Sequence, residues 1–222
     1  MRQAQTITIE APPHALEGAL TLPPAARAIV LFAHGSGSSR FSPRNRFVAE
    51  ALHREGLATL LFDLLTRDEE AEESRRHRFD IGLLARRLIV ALDWVASGAG
   101  TRELRAGLFG ASTGAAAALV AAAERPSRVG AVVSRGGRPD LAGEALPRVT
   151  APTLLLVGGN DRQVLELNRS ALARLGGPRQ LVVVPGASHL FEEPGALEEV
   201  ARQAAAWFAL QLASAPVLDG GR

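Results

Sequence analysis

The 222-residue sequence has no cysteine, no tyrosine and no lysine. Without cysteine, disulfides, thiolate metal sites and a cysteine nucleophile are all excluded. Without lysine, all 25 basic residues are arginine; set against 23 acidic residues, they leave a formal net charge of only +2. Few groups titrate between neutrality and strong base, so this small excess carries the isoelectric point to about 10.6 without implying a basic surface. No long arginine block is interleaved with aromatics, so a nucleic-acid partner is not expected. Apolar runs of membrane-spanning length are also missing. Residues 1–10 alternate polar and apolar and hold no apolar core of signal-peptide length. A cytoplasmic protein with no membrane partner is the expectation, and nothing in the residues calls for a metal or another cofactor.

What is present is an ordinary globular composition, 47% hydrophobic and 22% charged. The length suits one domain with a full core, expected over 1–213, followed by a frayed tail at 214–222. Alternating segments 5–10 and 16–22 predict a hairpin turning at Pro12-Pro13-His14. Beyond Pro23-Pro24, short continuous apolar runs at 27–33, 57–62, 105–109, 129–134, 153–157 and 180–184 predict strands buried on both faces. Helical spacing follows at 47–52, 81–95, 113–124, 164–175 and 194–212. This alternation predicts an α/β fold: a mostly parallel sheet of about eight strands, helices on both faces, an antiparallel edge and no large cap domain. The stretch 66–78 is dense in both charge signs and reads as a solvated loop or a salt-bridged helical turn. As it leaves the carboxyl end of a strand, a mobile rim over a site is the other reading.

Between the run ending at Phe109 and the alanine-rich helix lies Gly110-Ala-Ser112-Thr-Gly114. A serine between two glycines at a strand–helix junction fits a nucleophile elbow, where neighbouring Cβ atoms would clash with strand and helix. Sites in open α/β sheets form at the carboxyl ends of strands. There His189 follows the last strand and could take the hydroxyl proton of Ser112. His14 falls in the turn, His53 on a helix, His77 in the charged stretch, and His34 directly after the third strand. Asp161, in Gly158-Gly-Asn-Asp161, could fix the imidazole tautomer, though it also suits the N-cap of the next helix. Asp63 and Asp140 are rival acids after other strands, and the chain order Ser…Asp…His favours Asp161. The loop His34-Gly-Ser-Gly-Ser-Ser39 could turn a backbone N–H of Gly35 or Ser36 on a developing oxyanion, the other donor being Thr113 N–H. That loop lacks the endings of a P-loop or a dinucleotide fingerprint.

With HGSGSS, GxSxG, GGND and GASH in this order, the chain resembles an α/β-hydrolase over nearly its whole length. It is most similar to the small dienelactone-hydrolase-like serine hydrolases. The resemblance implies Ser112, Asp161 and His189 as a triad and Thr113 as an oxyanion donor. It departs in one respect, since dienelactone hydrolases proper use a cysteine nucleophile. A serine hydrolase cleaving small carboxylic esters through an acyl-enzyme is therefore expected, with a small-molecule ester as partner. Thioesterase, peptidase and cofactor-free perhydrolase chemistry on the same residues are alternatives, as is a non-catalytic binding module. Arg135 and Arg138, leaving the sixth strand, could hold a substrate carboxylate or phosphate, or pair with neighbours such as Asp140. Phe41, with Phe79 and Leu190, could wall an acyl pocket or lie in the core or rim.

Overall fold

The computed structural model describes residues 4–213, and its chain opens on the expected hairpin, β1 (Gln5–Ala11) and β2 (His14–Thr21). The apolar run that follows is β3 (Ala28–Ala33), buried along its whole length. Such a strand has no polar face and must be covered on both sides, which places it inside a sheet. The same applies to β4 (Ala58–Phe62), β5 (Arg105–Ala111) beyond its first residue, β6 (Val129–Arg135) and β7 (Thr153–Gly158). β8 (Arg179–Val184) is the far edge and is only partly covered. The sheet runs β1-β2-β4-β3-β5-β6-β7-β8. β2 pairs antiparallel with β1 and β4, and every later pairing is parallel.

Among the described residues six α-helices accompany the sheet: α1 (Pro43–Arg54), α2 (Arg67–Ala71), α3 (Ile81–Ser97), α4 (Thr113–Glu124), α5 (Arg162–Arg174) and α6 (Ala196–Gln211). α3 and α4 cover one face, packing with Leu31, Leu60, Leu108 and Val132. α1 and α6 cover the other, over Val30, Phe32, Phe109 and Val133. α4 is apolar on every side and buries all of its residues except Val120 and Glu124, as expected of a helix wedged between a sheet and other helices. α1 starts four residues earlier than its apolar spacing predicts. Its start is set by cap chemistry: the Ser42 hydroxyl accepts from Asn45 N–H at 3.3 Å, and Pro43 opens the first turn. Among the described residues, no helix is long and apolar enough to cross a membrane. The tail expected at 214–222 lies outside them.

The charged stretch is a fastened, salt-bridged turn. α2 begins with a capping box in which Thr66 and Glu69 satisfy each other's backbone N–H groups. Glu69 then receives both terminal nitrogens of Arg87, each at 2.6 Å, and Arg87 also donates to Leu64 O at 2.7 Å. Arg87 is only 5% exposed on α3, so this fork ties the segment to the core. Further along, His77 meets Glu72 at 2.9 Å and Arg78 meets Glu70 at 2.9 Å. Burial alone would raise the Glu69 carboxyl, but the Arg87 fork and the Thr66 bonds hold it down at about 2, against an ordinary 4.5.

A carboxyl depressed on folding stabilises the fold above its unfolded pKa, and that contribution fades as pH falls through its folded value. Glu69→Gln should therefore cost about 3 kcal/mol of unfolding free energy at pH 7. The gap to wild type should close between pH 4.5 and 2. Urea titrations across that window check this, and a gap that does not change with pH would contradict it.

Candidate active site

β5 ends in a turn that few residues other than glycine adopt. Ser112 has φ 51° and ψ −120°, a strained backbone of the kind that persists only when its surroundings over-determine it. They do so here. Ser112 N–H donates to Arg135 O at 3.3 Å, while Ser112 O accepts from Ala115 and Arg138 N–H, both at 3.1 Å. The flanking glycines are steric necessities, as the sequence predicts. A Cβ on Gly110 would lie 2.4 Å from Ala115 Cα, and one on Gly114 would lie 2.2 Å from Ala33 O. Only glycine lets α4 start so close to β5 and β3.

The loops leaving the adjacent strands converge on this serine. After β3, the position of a Cβ on Gly35 is 3.1 Å from Ser112 Cβ, and Ser36 N–H donates to Thr113 Oγ1 at 3.1 Å. Thr113 opens α4, so its own N–H has no carbonyl one turn back inside the helix. His34 braces this loop from within the protein, at 6% exposure. Its Nε2 accepts from Leu64 N–H at 2.9 Å, which requires the proton on Nδ1; that nitrogen lies 3.0 Å from Gly35 O and donates there. Burial lowers the His34 pKa below the ordinary 6.5. Sequence reasoning set His34 aside as merely adjacent to the strand, and the signal lay in the imidazole ahead of a glycine loop.

From the other side of the sheet, Asp161 Oδ2 and His189 Nδ1 lie 2.6 Å apart. The carboxylate accepts from Nδ1–H, leaving Nε2 as the outward nitrogen. His189 Cε1 is 3.6 Å from the position of a Cβ on Gly136, the residue after Arg135, so the imidazole overhangs the end of β6 beside the elbow. The His189 loop is held by Glu193 Oε2, which accepts from Ser188 N–H at 3.0 Å, and by Asn160, whose side chain donates to Gly186 O at 2.7 Å. Asp161 is also the N-cap residue of α5, but its side chain makes no capping bond there. The rival acids are engaged elsewhere, Asp63 by Arg40 and Asp140 by both Nε and Nη2 of Arg138 at 2.9 and 2.8 Å.

Of the residues expected to contact substrate, Arg138 is thus paired with Asp140, which raises its pKa. Arg135 is 8% exposed at the end of β6. Phe41 is 53% exposed, with the Arg40 and Arg46 guanidinium groups 4.3 and 5.1 Å from its ring centre, and Phe79 and Leu190 are likewise exposed. These three belong to the rim.

Comparison with known proteins bears on the family and the fold. A Mycobacterium tuberculosis protein named as a candidate phosphoribosyl transferase is 59% identical over 204 residues, covering 92% of this chain but 46% of that protein. The chain thus spans about half the length of the curated relatives it matches at this level. A crystal structure of a dienelactone hydrolase from Anabaena variabilis is 57% identical with a TM-score of 0.92, covering 96% of this chain and all of that one. An α/β serine hydrolase without a lid from Xanthomonas campestris shares the fold, with a TM-score of 0.75 at 22% identity over 96% of this chain and 97% of that one. The model of the dienelactone hydrolase family matches residues 16–213. The chain belongs to the dienelactone hydrolase family and has the α/β-hydrolase fold.

Proposed function

We propose that this protein is a serine esterase acting on small carboxylic esters. The observation that carries the reading is the 2.6 Å Asp161–His189 pair at the end of β6, beside a serine strained onto a glycine-flanked elbow. Ser112 Oγ attacks the ester carbonyl while His189 Nε2 takes its proton. Asp161 holds the imidazole in the tautomer that exposes Nε2 and stabilises the imidazolium that forms. The tetrahedral oxyanion is met by Thr113 N–H, at the positive end of α4, and by an N–H of the loop after β3. Gly35 N–H and Ser36 N–H are the two candidates there, and the Ser36 N–H is engaged by Thr113 Oγ1 in this structure. His189 then protonates the leaving alcohol, and water repeats the sequence on the acyl-enzyme. Among the described residues no cap domain is inserted between the strands, which supports small soluble esters over lipid aggregates. The transferase name of the longer relative is not carried over, because the residues gathered at this site are those of acyl transfer.

Ser112→Ala should lower p-nitrophenyl acetate hydrolysis by at least about 1,000-fold and abolish labelling by a fluorophosphonate probe, with circular dichroism unchanged. Retained turnover would overturn the assignment. Asp161→Asn should cost about 10³–10⁴ in kcat, because the imidazole loses its tautomer control.

His34 yields a separate test. Its pKa is lowered on folding, so the folded form resists a proton that the unfolded chain accepts. The stabilisation is complete above the unfolded value of 6.5 and is lost as pH falls below it towards the folded value. Wild type should lose stability on acidification from pH 7 to 5 more steeply than His34→Gln, as read by urea unfolding. Parallel slopes would show that His34 is not held neutral.

A further inference from the structure

The backbone of Ser112 is gripped from both ends by one short segment leaving β6. Arg135 O accepts the Ser112 N–H at 3.3 Å, and Arg138 N–H donates to Ser112 O at 3.1 Å. Between these two residues lie Gly136, with φ 49°, and Gly137. The same segment abuts the loop of the imidazole, since a Cβ on Gly136 would lie 3.0 Å from His189 O. Two consecutive glycines have wide conformational freedom, so a grip made through them needs fixing from outside. Gly136 N–H donates to Leu156 O at 2.8 Å, which ties the start of the turn to β7. Gly137 is pressed against β6 and α4, where a Cβ would lie 2.0 Å from Ser134 Oγ and 2.6 Å from Ala115 Cβ. Its carbonyl is held by a side chain from a different element, Asn168 of α5.

Asn168 is fully buried. Its Nδ2 donates to Gly137 O at 2.9 Å and to Val164 O, one turn back in α5, at 2.8 Å. The two acceptors fix which way the amide faces, because the flipped group would set its oxygen against two carbonyls. Its Oδ1 is buried and finds no donor among the described residues, an unfavourable state that the two Nδ2 bonds must offset. The N-cap residue of the same helix is Asp161, whose Oδ2 lies 2.6 Å from His189 Nδ1. Asn168 stands two turns further on, about 10 Å along the helix axis. One rigid element thus holds the imidazole at its start and, two turns later, the turn that grips Ser112. We propose that Asn168 is a positioning residue: through Gly137 it fixes the 135–138 turn and so sets the placement of Ser112 relative to His189. Its hydrogen bonds go to neither Asp161 nor His189, so it acts on geometry and leaves the basicity of the imidazole alone. The kinetic test of this role rests on the esterase reading, whereas the hold on the turn is measurable without turnover.

The test uses Asn168→Ser, whose hydroxyl can still bond the carbonyl one turn back but is too short to reach Gly137 O. Per fluorophosphonate-labelled site, kcat/KM for p-nitrophenyl acetate should fall by about 10- to 100-fold, as a misplacement of about 1 Å does. The acid limb of the kcat/KM pH profile should stay where it is in wild type, because the Asp161–His189 pair is untouched. A merely structural role would lower the Tm or the fraction of labelled protein and leave turnover per labelled site unchanged, and that result would overturn the proposal. A shifted acid limb would overturn it as well, by placing the effect at Asp161. Should Asn168→Ser not fold, Asn168→Thr, which fills more of the space and bonds back in the same way, is read instead. If wild type neither turns over the ester nor takes up the fluorophosphonate, the esterase reading falls and the positioning role is judged by amide exchange alone. The Arg138 N–H should then exchange at least about 10-fold faster in Asn168→Ser than in wild type, with the N–H groups of β7 unchanged. Equal exchange at Arg138 in the two proteins would show that Asn168 does not hold the turn.

Discussion

Everything at this site hangs on one backbone constraint, the left-handed conformation forced on Ser112 where β5 gives way to α4. A serine in that region costs on the order of 1–3 kcal/mol, and the conformation survives because neighbours on both sides insist on it. β5 lies between β3 and β6, so the exits of those two strands are the segments that reach the elbow. The exit of β3 supplies the His34–Ser36 loop, and that of β6 supplies the carbonyl and N–H that grip the serine backbone. The parallel register of the central strands thus sets which loops can meet Ser112. The glycines at 110 and 114 then set how closely they approach.

Electrostatics divides the upper rim of the sheet into a settled side and an unsettled one. On the settled side, Glu69 loses solvation by burial and regains more from Arg87 and Thr66, so residues 66–78 act as a strap rather than a loose rim. Arg40 closes a further set of pairs with Glu17 and Asp63. On the other side stands Arg135, whose buried Nε and Nη1 find no acceptor among the described residues. A fold that satisfies one buried guanidinium so completely has the means to satisfy a second.

Much of this was legible in the sequence, because the signals were local or periodic. Unbroken apolar runs gave away the central strands, and the serine between two glycines identified the elbow. The order of Asp161 and His189 along the chain selected the pair that the structure joins. What stayed hidden depends on contacts between distant segments. The start of α1 is set by Ser42 and Pro43, which lie outside any apolar period. The fastening of residues 66–78 needs Arg87, one turn and more into α3, which reads by itself as an ordinary helix surface residue. His34 shows its role only through the N–H of Leu64, on another strand's exit. Arg44 and Arg135, 91 positions apart in sequence, come to influence each other electrostatically only through the fold.

The alanines of α4 have a thermal consequence. Alanine has no side-chain rotamers to lose on burial, so ordering this helix costs backbone entropy and almost nothing else. A longer apolar side chain in its place would regain torsional freedom whenever the packing loosened, and heating would favour that release. α4 keeps such a reservoir at Leu119 and Val120 and lacks it at its seven alanines. The strained serine is therefore mounted on a support most of whose side chains have nothing to gain from movement, and the geometry at Ser112 is insulated from the torsional fluctuations that warm up first in most protein interiors.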